Sequence, residues 1–212
     1  MTFLSENDRQ EVAYQSDYRY QSSSWGGSEH VVTALVEYRD EIARNTFFKE
    51  NAIDNLAYAL HYSVGLADRV FLTAGIRRDD NDMFENATTY RFTGAYLLDD
   101  EATRLHASYG KAVQNPTMTE LYGFGGDFVG NPDLRPESGY GWDLGIEREF
   151  WSGRVVADVT YFDARTEDLI AGAGATVVNL DGTSQSRGIE WAASASLSAQ
   201  TDVRMSYTYT DA

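Results

Sequence analysis

Tyr140-Gly141-Trp142-Asp143-Leu144-Gly145-Ile146-Glu147 places a large apolar residue at every second position. Gly141, Asp143, Gly145 and Glu147 fill the alternate positions. In an extended strand, successive side chains point to opposite faces. The octet therefore has one oily, aromatic face and one small or charged face. A helical period of 3.6 would mix the two sets, so the stretch reads as a strand.

Working outward, nine more stretches repeat this period, near residues 12–20, 32–38, 56–64, 70–76, 90–98, 105–109, 155–161, 189–197 and 203–209. No stretch reads as a helix. Each strand is about ten residues long, the length that crosses a bilayer at a tilt. The connections alternate in length. Short turns fall near 65–68, 99–101, 151–153 and 199–202; long loops fall near 40–54, 79–86, 114–137 and 165–185. Transmembrane barrels sort their turns this way, short on the periplasmic side and long outside. The polar face carries Arg19, Glu37, Arg39, Arg77, Arg91, Arg104, Asp143, Glu147, Asp158 and Glu190. Charges of both signs there imply water or a polar plug inside, and not a packed core. The outer face carries almost none. The expected fold is all-β: an antiparallel transmembrane β-barrel wall of about ten meandering strands, an open arc of a larger barrel.

Composition narrows the function. The chain has 212 residues and a net charge of −16, which argues against nucleic acid as a partner. It has no cysteine, so disulfide scaffolds, thiolate metal sites and thiol nucleophiles are excluded. Aromatic residues make up 13% of the chain and gather near strand ends, where a barrel carries interfacial girdles. No run of eighteen apolar residues offers a transmembrane helix. The first residues, Met1-Thr2-Phe3-Leu4-Ser5-Glu6, do not read as a signal peptide. A barrel bound for an outer membrane needs one, so the chain is expected to be part of a longer protein.

All three prolines lie in one loop. It contains Pro116-Thr117-Met118-Thr119-Glu120-Leu121-Tyr122 and then Gly130-Asn131-Pro132-Asp133-Leu134-Arg135-Pro136-Glu137, ahead of Trp142-Asp143-Leu144-Gly145. Downstream come Tyr161, Asp168-Leu169-Ile170, Asn179 and Gly188-Ile189-Glu190. In that order, these segments resemble the TonB-dependent outer-membrane receptors. The motif positions are Pro116, Glu120, Leu121, Tyr122, Gly130, Asn131, Pro132, Leu134, Pro136, Glu137, Trp142, Gly145, Gly188 and Glu190. They lie within residues 114–212; the earlier part matches by barrel pattern alone.

The resemblance implies a 22-stranded barrel of the Gram-negative outer membrane. It implies active uptake of a scarce nutrient, with cobalamin transporters and siderophore receptors as the two nearest types. Implied partners are outer-membrane lipid and lipopolysaccharide, a cobalamin or siderophore substrate, and a TonB complex acting through a plug domain. Residues 1–212 are expected to be a partial barrel, without plug or C-terminal strands. A passive or structural barrel without TonB coupling is the alternative, and a soluble β-rich binding protein is a third reading.

Aromatic residues on the long loops are candidate substrate contacts: Tyr122, Phe124 and Phe128, with Phe47, Phe48 and Phe84 on other loops. The competing reading is that the proline loop only shapes a turn, with Asn131 and Glu137 tying down backbone groups. Asp79-Asp80-Asn81-Asp82 offers oxygen donors, but it lacks the glycine and closing glutamate of a calcium loop. His30, His61 and His106 read as isolated. No catalytic set, cofactor site or metal site stands out, and the chain is expected to be non-enzymatic.

Overall fold

The computed structural model describes residues 5–45, 50–99, 102–124 and 128–212. Twelve strands run in chain order among them: β1 Ser5–Ser22, β2 Ser28–Asn45, β3 Asn51–Leu66, β4 Val70–Asn81, β5 Ala87–Leu97, β6 Thr103–Gln114, β7 Glu137–Phe150, β8 Val155–Glu167, β9 Ile170–Ala173, β10 Thr176–Asn179, β11 Thr183–Ser198 and β12 Thr201–Asp211. Ten form one antiparallel sheet in the order β1-β2-β3-β4-β5-β6-β7-β8-β11-β12; β9 and β10 form a separate hairpin. Strands adjacent in sequence are neighbours in space, and the sheet is open. This is the meandering arc expected from the alternation.

The strands exceed the expected length. Within the large sheet they run from 11 to 18 residues. β2 runs through Asn45, β3 starts at Asn51 and β4 continues through Asp79, Asp80 and Asn81, so residues 40–45, 51–54 and 79–81 are strand and not loop. A further departure is a five-residue α-helix, α1 Met118–Tyr122.

The register sorts the faces. Leu60, Ile76 and Tyr90 are directly opposite one another, as are Leu105, Ile146, Val159, Trp191 and Tyr207. These residues form the oily outer surface. It stays exposed: Tyr14 is 71% accessible and Leu144 56%. On β2, β4, β7, β8, β11 and β12, four or five successive outward positions are apolar. On β4 these are Val70, Leu72, Ala74 and Ile76; on β8 they are Val155, Ala157, Val159 and Tyr161. Toward the long loops the band then ends in charge, at Arg78 on β4, Lys111 on β6, Asp163 on β8 and Arg187 on β11. The outer face is therefore uncharged only within the band, a narrower rule than the sequence pattern suggested.

The rim of short turns is knitted sideways. Backbone N–H groups of Ala67, Leu97, Glu149 and Ser196 donate to the carbonyls of Gly27, Arg69, Ala102 and Arg154, at 2.7–2.8 Å. Ala67 and Asp68 both have positive φ (51° and 54°), the mirror-image turn that matches strand twist in a tight hairpin.

Candidate functional site

The long-loop end carries the one buried hydrophobic cluster among the described residues. It consists of Leu121 on α1, Leu134 in the proline loop and Val177 on β10, with Phe84, Tyr122, Phe128 and Ile170 packed against it. A five-residue helix is marginal in isolation. Here it is capped at its start and buried at its end. The Thr117 hydroxyl accepts from Glu120 N–H at 3.2 Å, and the Glu120 carboxylate accepts from Thr117 N–H at 2.7 Å. This reciprocal capping box satisfies donors a helix start leaves unpaired. Leu121 is then only 3% exposed.

Two asparagines fasten the proline loop to the β9–β10 hairpin. Asn131 donates from its backbone to the Glu120 carbonyl at 2.7 Å and from Nδ2 to the Val177 carbonyl at 2.9 Å, while Oδ1 accepts from Asp133 N–H at 3.1 Å. Asn179 answers from the hairpin: Nδ2 donates to the carbonyls of Arg135 and Asp168, and Oδ1 accepts from Arg135 N–H at 2.8 Å. Glu137 accepts from Ile170 N–H at 2.6 Å. Arg135 and Asp168 form an ion pair, and that carboxylate holds the guanidinium above its ordinary pKa. A Cβ on Gly130 would collide with the backbone of Leu121, Tyr122 and Gly123, so only glycine allows this closure.

The inner wall carries a chain of ion pairs across four strands. Arg9 meets Glu11 at 2.7 Å, Glu11 meets Arg39 at 3.2 Å, and Arg39 meets Glu37 at 3.0 Å. Glu37 then meets Arg77 at 2.9 Å, and Arg77 meets Asp79 at 2.9 Å. Asn55 on β3 donates to Asp79 at 3.0 Å. Asp79 lies on the part of β4 beyond the apolar band. Its burial pushes the carboxyl up, but the Arg77 and Asn55 hydrogen bonds outweigh this and hold it below the usual range. A second group spans β6 to β8. Arg104 grips both Glu147 oxygens at 3.1 Å, and His106 Nε2 is 2.8 Å from Asp158 Oδ2. Between this wall and α1 lies a cleft of about 520 Å³, lined by Arg39, Asn55, Arg77, Phe84, Pro116 and Met118 among others.

The candidate contacts separate accordingly. Tyr122 and Phe128 are half-buried against the cluster with Phe84, and the Tyr122 hydroxyl points at Met83 Sδ, 3.7 Å away. Phe124 is 55% exposed at the loop surface. Phe47 and Phe48 lie outside the described residues. Pro132 follows Asn131 in the fastened loop, and Pro136 directly precedes β7. Trp142 faces outward, its ring 5.4 Å from that of Tyr161. Glu190 stands on the inner face opposite Thr160 and Thr208.

The acidic run does not converge on one point. Asp79 faces inward to Arg77, and Asp80 faces outward to Arg78 at 3.0 Å. Asp82 accepts from Asp54 N–H at 2.9 Å. No group of three metal-ligating side chains occurs among the described residues. Nor are two of the three histidines isolated. Besides His106, His30 Nδ1 is 2.7 Å from the Tyr62 hydroxyl. Sequence inspection missed the ion-pair chain and the role of the β9–β10 hairpin. The T-x-x-E spacing of the capping box was the available sign of α1.

A family model described as TonB dependent receptor-like, beta-barrel, matches residues 1–212. A curated relative, the vitamin B12 transporter BtuB of Vibrio vulnificus, is 26% identical over 99 residues, covering 47% of this chain and 15% of the transporter. The siderophore receptor PirA of Pseudomonas aeruginosa superposes with a TM-score of 0.81 at 19% identity, covering 96% of this chain and 40% of that one. A point mutant of the ferric enterobactin receptor PfeA of the same organism, in complex with enterobactin, gives 0.82 at 15% identity, covering 98% and 36%. At such identities the two structures show a shared fold. The chain spans less than half the length of each of these proteins. With the family model matched from end to end, the chain belongs to the TonB-dependent receptor β-barrel family.

Proposed function

We propose that this chain is part of the wall and outer loops of an outer-membrane receptor that takes up a scarce nutrient, cobalamin or an iron–siderophore. The observation that carries this is the pairing of an exposed apolar band with a charged, ion-paired inner wall. A wall oily outside and polar inside suits a barrel with lipid around it and a wet or plugged lumen. The fastened proline loop caps the long-loop end, where a ligand from outside would arrive first. Tyr122, Phe124, Phe128 and Phe84 sit there as its aromatic contacts, with Phe47 and Phe48 as further candidates from the sequence. Lipid and lipopolysaccharide surround the band. A TonB complex, acting through a plug domain beyond this chain, energises passage. No part of the described site calls for catalysis.

The relatives offer both substrates: one is named for vitamin B12, the others for siderophores. The test is uptake by a strain lacking the full-length gene and complemented with it. Radiolabelled cyanocobalamin and radiolabelled iron with a catecholate siderophore are supplied separately. Energy-dependent accumulation of one label, lost when TonB is deleted, is expected. Passive entry of both labels, unaffected by TonB, would favour a structural or diffusive barrel instead.

A further inference from the structure

Away from the sheet edges, one arginine of the inner wall is left without a carboxylate. Arg39 and Arg77 both meet Glu37, and Arg104 meets Glu147. Arg91, exposed on the inner face of β5, makes no hydrogen bond or ion pair among the described residues. Gly75 lies directly opposite it on β4, and Gly110 on β6. Thr89 and Thr93 flank it on its own strand. Asp143, two strands away on β7, accepts from the Ser108 hydroxyl. Arg19 and Arg204 also lack an ion pair, but they stand on the edge strands β1 and β12.

Beside Arg91 the wall is hollowed. Gly75 has no side chain and Ala59 only a methyl, which leaves a hollow of about 240 Å³ floored by the main chain of the outward-facing Leu60, Ile76 and Tyr90. His61 and Arg91 stand on either side of Gly75 in one row, and Arg77 and Thr89 are directly opposite each other in the next. The hollow is thus lined by two guanidiniums, an imidazole and a hydroxyl, and by no carboxylate among the described residues. Arg77 is already turned to Glu37 and Asp79, so Arg91 holds the unused fork. Gly75 lies midway along β4, between the short turn before Val70 and the long-loop end at Asn81.

We propose that this hollow is a binding site for a carboxylate-bearing solute inside the barrel, gripped by the Arg91 guanidinium with Thr89 and His61 donating beside it. The inference rests on the reading of this face as the lumen side. Two parallel N–H groups of a guanidinium match the two oxygens of a carboxylate. A recess lined by one sign of charge also concentrates the opposite ion. The structural ion pairs of the wall close on themselves, whereas a bare cation in an open hollow is available to a mobile anion. At mid-wall, that anion would be in passage between the two ends of the barrel.

The test uses the full-length protein in non-ionic detergent. Phenylglyoxal modifies accessible arginines, and peptide mass spectrometry follows residue 91 by itself. Succinate is the probe, and succinamide its uncharged counterpart. Saturating succinate is expected to slow modification of Arg91 about tenfold, the scale of one charge-assisted hydrogen bond, while succinamide leaves it unchanged. Gly75→Leu, which fills the hollow, is expected to abolish the protection while Arg91 still reacts. Gly75→Ala replaces it if strand circular dichroism is lost. Thr89→Val, which keeps the hollow open, should weaken the protection. Modification that succinate does not slow overturns the proposal, as does equal protection by succinamide or protection that survives in the filled hollow. These results leave the receptor reading standing. A lipid-dissolved carbene probe that marks Thr89 and Arg91 instead of Tyr90 would overturn that reading itself, by placing this face in lipid.

Discussion

The imidazole of His106 lies where a Cβ on Gly145 would stand. The two residues are directly opposite on β6 and β7, and the ring passes over the glycine to reach Asp158 on β8 at 2.8 Å. His61 opposite Gly75 and Phe162 opposite Gly188 make looser versions of this contact on the inner face, 3.4 Å and 3.0 Å from where a Cβ would stand. Covering a glycine with a ring from the next strand restores the packing that a missing side chain would forfeit. Gly145→Ala is expected to expel the ring and break the contact with Asp158, destabilising the barrel by about 1–3 kcal/mol. Adding His106→Ala should recover part of the loss. Urea unfolding of the full-length protein in lipid vesicles measures both; strictly additive losses would show that the two residues do not couple.

The second expectation concerns Asn131. It joins three backbone groups from α1, the proline loop and β10. Asn131→Ala leaves the Val177 carbonyl without its donor, in a part-buried setting. A local loss of about 1–3 kcal/mol should follow. Amide exchange should rise together in residues 118–122, 129–134 and 176–179, while β7 and β8 stay protected. Faster exchange confined to the substituted residue would mean the loop and hairpin are not one unit.

What the sequence made legible was the period. Tyr140, Trp142, Leu144 and Ile146 announce both a strand and its oily face, because side-chain direction alternates with no help from the rest of the chain. Gly145 was legible only as a motif position. Its reason lies in His106, nearly forty residues earlier, and no local pattern gives the register that brings them together. The same holds for Glu37, which meets Arg77 from the far side of β3. α1 escaped because five residues are too short to show a helical period; burial of Leu121 beneath Leu134 and Val177 stabilises it. The reach of β2 and β3 past the apolar band was hidden because outside lipid the alternation need not be apolar.

Acid should act on the inner wall through Asp79. Its carboxyl titrates lower folded than unfolded, because the Arg77 and Asn55 hydrogen bonds favour the charged form over the burial that opposes it. Its contribution to stability is therefore present above the unfolded carboxylate value of about 4. It is lost as pH falls through the lower folded value. Melting of the full-length protein between pH 7 and pH 3 should drop toward the acid end. Asp79→Asn should melt lower at neutral pH and show a shallower acid drop. A variant with an unchanged acid drop would place the pH sensitivity elsewhere.

The two faces of the wall call for opposite responses to the same charge. Leu144 lies mid-band on the outer face, with Ile146 and Trp142 to either side along β7. Gln15 lies on the inner face of β1 and donates to Asp17 at 3.3 Å. Arginine at position 144 would sit in hydrocarbon, and a cation at the bilayer midplane costs about 2–4 kcal/mol. Arginine at position 15 would project into a polar interior beside a carboxylate, where its charge is solvated or paired. Leu144→Arg should therefore cut folding yield into lipid vesicles sharply, while Gln15→Arg folds close to wild type. The contrast turns on which face meets lipid, because both changes add one long cation to a strand of similar length. Equal tolerance of the two, or a worse outcome for position 15, would mean that protein and not lipid covers the tyrosine-rich side.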